Sequence, residues 1–416
     1  MKGNKKHLAL FFIIIATISV AVGFSDGLFG NYFKEVYGVD GYGRGLIEFP
    51  RELPGIITLF LVGAIAFLGN IRIAILAQAF AATGLFVLGF FIPSYNYMLV
   101  FLFITSMGFH LYMPLRDSIG MALAEEDKVG KRMGQYAGMR FGFLTVSSIV
   151  VYLLFKFDIF SFESNVRWSF VIAGIFYVAA MLLFYKLSRD VGKVEIKRKK
   201  FRVVFKKEYK FYYLLAVVFG VQKQVMIVFG PWVLIETLSQ EVDTIILLGI
   251  IASFIGMFFM IQLGKWIDRF GVKKLLFVDA LSFIGVYLCY GLLCMAFANG
   301  NLLTYGFPVI ITAGLFVLDR LSAQMGVVRV VYLKSIILSE EDLTPTLSTG
   351  MGLDHIVSII VGVSGGVIWV TLGSQYIFFI VAALSLINLF VAIKVKEPNK
   401  ALAAKAAQSV KSETEE

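Results

Sequence analysis

Apolar residues in this chain come in long unbroken runs, at about 8–33, 46–68, 73–92, 97–121, 135–157, 168–187, 211–237, 244–263, 275–297, 304–328, 347–372 and 376–393. A helix needs roughly 20 such residues to cross the bilayer core. Strands of an outer-membrane barrel would alternate apolar and polar positions over about ten residues, and these runs do not alternate. The pattern predicts an all-α polytopic membrane protein with 12 transmembrane helices. The joins near Ile71 and Gly373 are so short that the helices flanking each must form antiparallel hairpins. A cleaved signal peptide is the rival reading of the first run, which follows Lys2, Lys5 and Lys6. Its apolar stretch overruns an ordinary signal h-region, and its continuation keeps the number of spans even.

Composition agrees with that pattern. The 416 residues are 59% hydrophobic and only 16% charged, against about 25% charged in soluble domains. A single soluble core stops growing at roughly 250–300 residues, so lipid must solvate most of this surface. Cys289 and Cys294 sit five apart on one run and point to different faces, which excludes an ordinary disulfide. The three His residues are scattered, so neither a metal cluster nor a cofactor site is predicted.

A formal net charge of +10 could suggest nucleic acid, but in a membrane chain it first reports orientation. With the amino terminus in the cytoplasm, that side holds Lys2, Lys5, Lys6, Arg72, Lys128, Lys131, Arg132, the loop 186–210, Lys265, Arg269, Lys273, Lys274, Arg329, Lys334 and the lysines from Lys394 onward. Opposite stand only Lys34, Arg44, Lys156 and Arg167. Both termini are therefore expected in the cytoplasm, in a plasma-membrane protein. The basic loop divides the chain into a six-helix bundle over 1–187, a linker over 188–210, a second bundle over 211–395 and a mobile tail over 396–416. Its run KVEIKRKKFRVVFKKEYK fixes topology and rests on anionic lipid headgroups; no nucleic-acid partner is expected.

The halves match in outline. Span four carries Arg116-Asp117 and span ten carries Asp319-Arg320, while the fifth helix of each half is glycine-rich, with Gly134, Gly138 and Gly142, then Gly350, Gly352, Gly362, Gly365 and Gly366. Small residues of this kind let backbones approach closely. After span eight comes Gly264-Lys265-Trp266-Ile267-Asp268-Arg269-Phe270-Gly271-Val272-Lys273-Lys274, which resembles the G-x-x-x-D-R-x-G-x-[RK]-[RK] loop of the major facilitator superfamily. The first-half copy, between Gly63 and Arg72, has Phe67 near where the family's Asp belongs. Arg167-Trp168-Ser169-Phe170 is also similar to the family's entry to span six. The resemblance, over roughly 6–395, implies two six-helix bundles around a cavity that opens alternately to each side. It also implies that Asp268 latches the cytoplasmic halves when they close. Asp279 falls on an outer helix in this scheme and is expected to make an interhelical contact.

Ionisable groups at membrane depth cost roughly 2.5–3.5 kcal/mol by insertion scales, so each demands a partner, a wet cavity or a function. Asp26, Glu48, Arg51 and Glu52 should share one height in the outer third, with Asp26 and Arg51 as a plausible pair. Pro50 and Pro54 in EFPRELPG would loosen that helix. Nearer the cytoplasm, Arg116 and Asp117 match Arg140, and Asp319 and Arg320 match Asp354 and His355, as gating ion pairs. Lys223, flanked by Gln222 and Gln224, sits near mid-depth with no acid within a turn, and could hold an anionic group or pair across the bundles with Asp26. His110 is the other mid-depth candidate, with core packing as its bland reading.

The expected function is a secondary transporter that moves a small polar or charged solute by alternating access, with proton coupling, as a monomer. No Walker GxxxxGK[ST] loop is present, so direct ATP use is not expected. The G-x-x-x-G-P element of drug–proton antiporters and the PESPR-like element of sugar porters are missing too. Movement of lipids or amphiphiles is the alternative within the same fold. A non-transporting sensor or an intramembrane enzyme is the alternative outside it, although no compact nucleophile, base or metal set is written here.

Overall fold

The computed structural model describes residues 4–125, 129–191 and 205–395. Most of the basic run in the linker and the whole expected tail lie outside them. The described elements are α1 (Lys5–Gly23), a 3-10 turn (Asp26–Leu28), α2 (Phe29–Tyr37), α3 (Gly41–Leu46), α4 (Glu48–Ala64), α5 (Asn70–Phe90), α6 (Tyr95–Leu123), α7 (Val129–Lys156) and α8 (Trp168–Val191). After the linker come α9 (Lys210–Trp232), continued by a π-helical turn (Val233–Thr237), then α10 (Val242–Phe270), α11 (Val272–Ala298), α12 (Phe307–Gln324), α13 (Gly326–Ile336), α14 (Glu340–Thr371) and α15 (Ser374–Lys394). No strand occurs among the described residues.

Among the described residues, 11 helical stretches are long and apolar enough to cross a membrane. The second apolar run is the exception. It is helical, but α4 has only 17 residues and begins with Glu48, Arg51 and Glu52.

Several runs are interrupted, each for a local reason. The first breaks at Ser25 (φ −129°, ψ −44°), passes through the 3-10 turn at Asp26 and resumes as α2. Gly38 ends α2 in the left-handed region at φ 60° and donates its N–H to the Lys34 carbonyl, the helix stop that glycine favours. On α9, Pro231 removes an N–H and the next turn widens into the π form. The tenth run breaks at Met325 between α12 and α13. Broken helices leave backbone polar groups free, which a bilayer tolerates only where they are buried in protein or line a cavity.

Within the first half of the chain, α1 packs on α7 and α8, and α5 on α6 and α8; within the second, α11 packs on α15 and α12, and α14 on α9. The halves meet where α3 and α4 lie against α14 and where α7 lies against α10. Some expected small-residue contacts are absent. Gly134, Gly138 and Gly142 on α7 are exposed, and no described residue lies within 4 Å of a Cβ built on any of them.

Asp279 makes the interhelical contact expected of it. Arg329 Nη2 of α13 donates to both its oxygens at 3.0 and 3.1 Å, and the guanidinium lies over Phe219, 3.8 Å from the ring centroid. Both side chains are almost wholly buried. Removing one partner of a buried pair costs about 3–5 kcal/mol because the other charge is stranded. Arg329→Ala is therefore expected to lower the thermal unfolding midpoint in detergent markedly; an unchanged midpoint would show that the pair contributes no stability.

Candidate solute-binding site and the seam that closes it

The seam between α3/α4 and α14 is built on one helical stripe. Gly41, Gly45, Glu48, Glu52 and Gly55 follow one another at alternating spacings of four and three, which places them on one face, as in a coiled-coil contact line. Each meets the second half of the chain. A Cβ on Gly41 would come 2.0 Å from Trp369, and one on Gly45 would come 2.2 Å from the Gly362 carbonyl oxygen and 2.8 Å from Gly366 Cα. Glu48 accepts from Gln224 Nε2 at 2.9 Å, and Glu52 bonds His355 Nδ1 at 2.8 Å. At Gly55 a Cβ would come 2.6 Å from the His355 ring, so glycine makes room for that imidazole.

The same end carries further links, Asn31 Nδ2 to the Gln240 carbonyl at 3.3 Å and Lys34 to Glu236 at 3.4 Å. This end, marked by the turns at 38–40 and 372–373, is the closed end. The exposed glycine face of α7 lies toward the other end.

Glu48 is the centre of the seam. It is fully buried, with Arg44 Nη1 at 2.5 Å and Arg51 Nη1 at 2.8 Å from the same oxygen. Arg51 thus pairs with Glu48, and not with Asp26 as its height suggested. Successive residues on a helix turn by about 100°, so the polar turn of α9 fans out to three neighbours. Gln222 reaches Ser385 on α15 at 2.7 Å, Lys223 pairs with Asp354 on α14, and Gln224 reaches Glu48 on α4. The acid for Lys223 is Asp354, in its own half of the chain, and not Asp26.

Beside the seam lies a cavity of ≈ 610 Å³ with walls from both halves. Asp26, Arg44, Arg51 and Glu52 line it from the first half, and Pro231, Arg320 and Gln324 from the second. Arg320 lies four residues from both Phe316 and Gln324, so the three share a face of α12. It sits over the Phe316 ring at 5.1 Å, and its buried Nε has no partner among the described residues. Asp319 points elsewhere, toward Tyr287 and Tyr290, and the Tyr287 hydroxyl is already committed to the Gln222 carbonyl at 2.7 Å. Asp354 and His355 are taken by Lys223 and Glu52, so the expected four-residue cluster with Asp319 and Arg320 does not form.

A recess of ≈ 310 Å³ among the first-half helices adjoins this cavity, sharing Val22, Asp26 and Leu144 with it. Its walls hold Arg116 and Arg140, together with the buried Tyr112 hydroxyl, Tyr177 hydroxyl and Gln78 carbonyl oxygen, none with a partner among the described residues. Arg116 pairs with its neighbour Asp117 at 2.8 Å, whereas Arg140 stacks on Phe141 without a carboxylate partner among the described residues. The expected Arg116–Asp117–Arg140 cluster is thus a pair beside a free guanidinium. Asp26, in the broken turn of the first run, is an exposed carboxylate with no ion pair among the described residues and is shared by both cavities.

Two expectations about histidine change. His110 is neither lone nor packed as core, because its ring stands 5.0 Å from that of His355. With Glu52 the two imidazoles bring ligand atoms within 4.8 Å of one another, a convergence that their scatter in sequence concealed. The loop motif is plainer. Asp268 is exposed and has no ion pair among the described residues, Arg269 lies over Phe270, and Lys273 reaches the Ile393 carbonyl at 3.4 Å.

Broken membrane helices around a charged cavity between two packed sets define a polytopic membrane protein with an internal polar site. The sequence matches the Major Facilitator Superfamily over residues 8–332, and the chain belongs to that superfamily, which is one of transporters and not of enzymes. No curated protein matches it. Among solved structures it is similar in fold to nucleoside transporter NupG, with a TM-score of 0.70 at 13% identity, covering 93% of this chain and 98% of that one. It is similar to a bacterial homologue of the iron transporter ferroportin in an inward-facing state, with a TM-score of 0.71 at 14% identity over 94% and 99%. A D-xylose–proton symporter gives 0.66 at 16% identity over 94% and 97%. Likeness at such identities is a likeness of fold.

Proposed function

We propose that this protein is a proton-coupled secondary transporter of a small organic anion, working by alternating access between two six-helix bundles, 1–187 and 211–395. The observation that carries the reading is a solute-sized cavity walled by both halves, with the guanidiniums of Arg140 and Arg320 on or beside it and the carboxylate of Asp26 between, none in an ion pair among the described residues. Pockets of about 300–1,000 Å³ hold small organic molecules, and Arg presents several donors to a carboxylate or phosphate. The Tyr112, Tyr177 and Gln78 atoms, unpartnered among the described residues, supply neutral hydrogen bonds for the rest of the solute. In this reading the closed end faces outside and both termini lie in the cytoplasm of a plasma-membrane protein, an orientation that the distribution of Lys and Arg supports. Seam residues Glu48 and Glu52 and the Lys223–Asp354 pair then serve the gate, and the exposed Asp268 loop serves the opposite closure.

Uptake by proteoliposomes tests this reading. Saturable accumulation of an organic anion under an inward proton gradient supports it, and scrambling of labelled lipid without solute uptake would replace it with amphiphile movement. Asp26 is the proposed proton carrier, because its carboxylate is shared by both cavities and has no ion pair among the described residues. Asp26→Asn is expected to cut gradient-driven accumulation at least tenfold while leaving solute exchange at equal pH intact. Unaltered accumulation would remove Asp26 from the coupling.

A further inference from the structure

We propose that Glu52, His110 and His355 form a binding site for one divalent transition-metal ion, and that this ion clamps the seam between α4 and α14. The site adjoins the cavity proposed for the organic anion, through Glu52, but its occupation does not require transport. The three come from three helices, α4, α6 and α14, and each offers a ligand atom within 4.8 Å of the others. Ligand atoms around tetrahedral zinc lie roughly 3.3 Å apart, given bonds of about 2.0–2.1 Å, so shifts of about 1 Å gather the set.

The imidazole chemistry is already arranged. His110 Nδ1 lies 2.9 Å from the Ser106 carbonyl oxygen, which can only accept, so that nitrogen carries the hydrogen and Nε2 keeps its lone pair. A backbone carbonyl on the far nitrogen is the usual way a protein orients a metal-binding histidine. Ser106 is itself fixed through its hydroxyl, which donates to the Arg51 carbonyl. His355 sits in the space left by Gly55, and its Nδ1–H now bonds one oxygen of Glu52. Metal binding replaces the shared proton of that bond, and the proton leaves to solvent.

Local charge permits a cation here. The nearest cationic groups are engaged, Arg51 with Glu48 and Lys223 with Asp354, which leaves Glu52 as the carboxylate free to match an incoming ion. Two imidazoles and one carboxylate suit zinc, cobalt, iron or nickel, and disfavour calcium and magnesium, which require oxygen ligands. Glu52 lines the central cavity, which gives an ion an aqueous route to that carboxylate. Because His355 belongs to the second half of the chain and the other two ligands to the first, the set exists only while the seam is shut.

The test uses the full chain purified in detergent without a polyhistidine tag and titrated with Co²⁺, whose visible absorption reports nitrogen and oxygen coordination. One equivalent is expected to bind with a distinct visible band, Zn²⁺ to abolish the band, and Ca²⁺ and Mg²⁺ to leave it unchanged. His110→Ala and His355→Ala should each weaken binding at least tenfold, with Glu52→Gln checking the carboxylate. Should a variant fail to fold, the wild-type titration decides. No Co²⁺ band at millimolar metal, or a band unchanged in both folded histidine variants, would overturn the proposal. The Co²⁺ readout requires no transport, so its failure overturns the metal site alone, and the transport reading stands or falls on uptake.

Discussion

Arg320→Ala is expected to cut binding of the transported anion by roughly 10- to 100-fold and to bring uptake close to background, with the protein still folded. Arg320 stands on the cavity wall where α12 presents Phe316, Arg320 and Gln324 on one face. Its Nε is buried without a partner among the described residues, and the Phe316 ring below holds the guanidinium in place. A charged hydrogen bond contributes about 1.5–3 kcal/mol, and each 1.4 kcal/mol is tenfold in affinity. Arg320→Lys keeps the charge but loses the planar fork, so a partial loss is expected. The measurement is a screen of anions by thermal stabilisation, since a ligand that binds the native state raises its apparent stability, followed by titration of each variant. Wild-type affinity in Arg320→Ala would place the anion elsewhere.

A larger effect is expected at the seam, where Gly45→Leu should prevent the closed end from closing and abolish transport. The obstacle is backbone, because a Cβ there would meet the Gly362 carbonyl oxygen at 2.2 Å and Gly366 Cα at 2.8 Å. Neither group can swing aside as a side chain would, so α3 and α14 must separate. Separation also exposes the buried Arg44–Glu48–Arg51 network beneath and breaks the Gln224–Glu48 hydrogen bond. The protein should insert and fold, with each half retaining its own packing, but remain open at that end. Labelling of a cysteine placed at Trp369 by an impermeant thiol reagent would report this as faster modification. Unchanged labelling together with normal uptake would show that the seam is not a gate.

The helices were legible because a membrane span writes itself as a continuous apolar run, and the charged candidates were legible because ions stand out within such runs. Their partners were not. Which acid Lys223 meets depends on the rotation of α9 about its axis and on the helix facing it, and Asp354 lies far along the chain. Arg51 shows the same limit, since two acids shared its expected height and only packing selects Glu48. Glycine misled in one place and was informative in another. The three-residue stripe on α7 has the spacing of a contact surface yet meets no described residue, whereas Gly41, Gly45 and Gly55 join Glu48 and Glu52 in a readable four-three repeat that ordinary hydrophobic patterning overlooks. The histidine convergence had no local signal, because its ligands come from helices that meet only in the folded chain.

Distances measured between paired spin labels across both ends of the molecule test alternating access most directly. Labels at Tyr42 and Leu372, both exposed at the closed end, and at Lys131 and Lys265, both exposed toward the other end, form the two pairs. Alternating access predicts two populations at each end that change in opposition, so that conditions lengthening the Tyr42–Leu372 distance shorten the Lys131–Lys265 distance. A single fixed distance at both ends under every pH and solute tested, or both distances lengthening together, would contradict it.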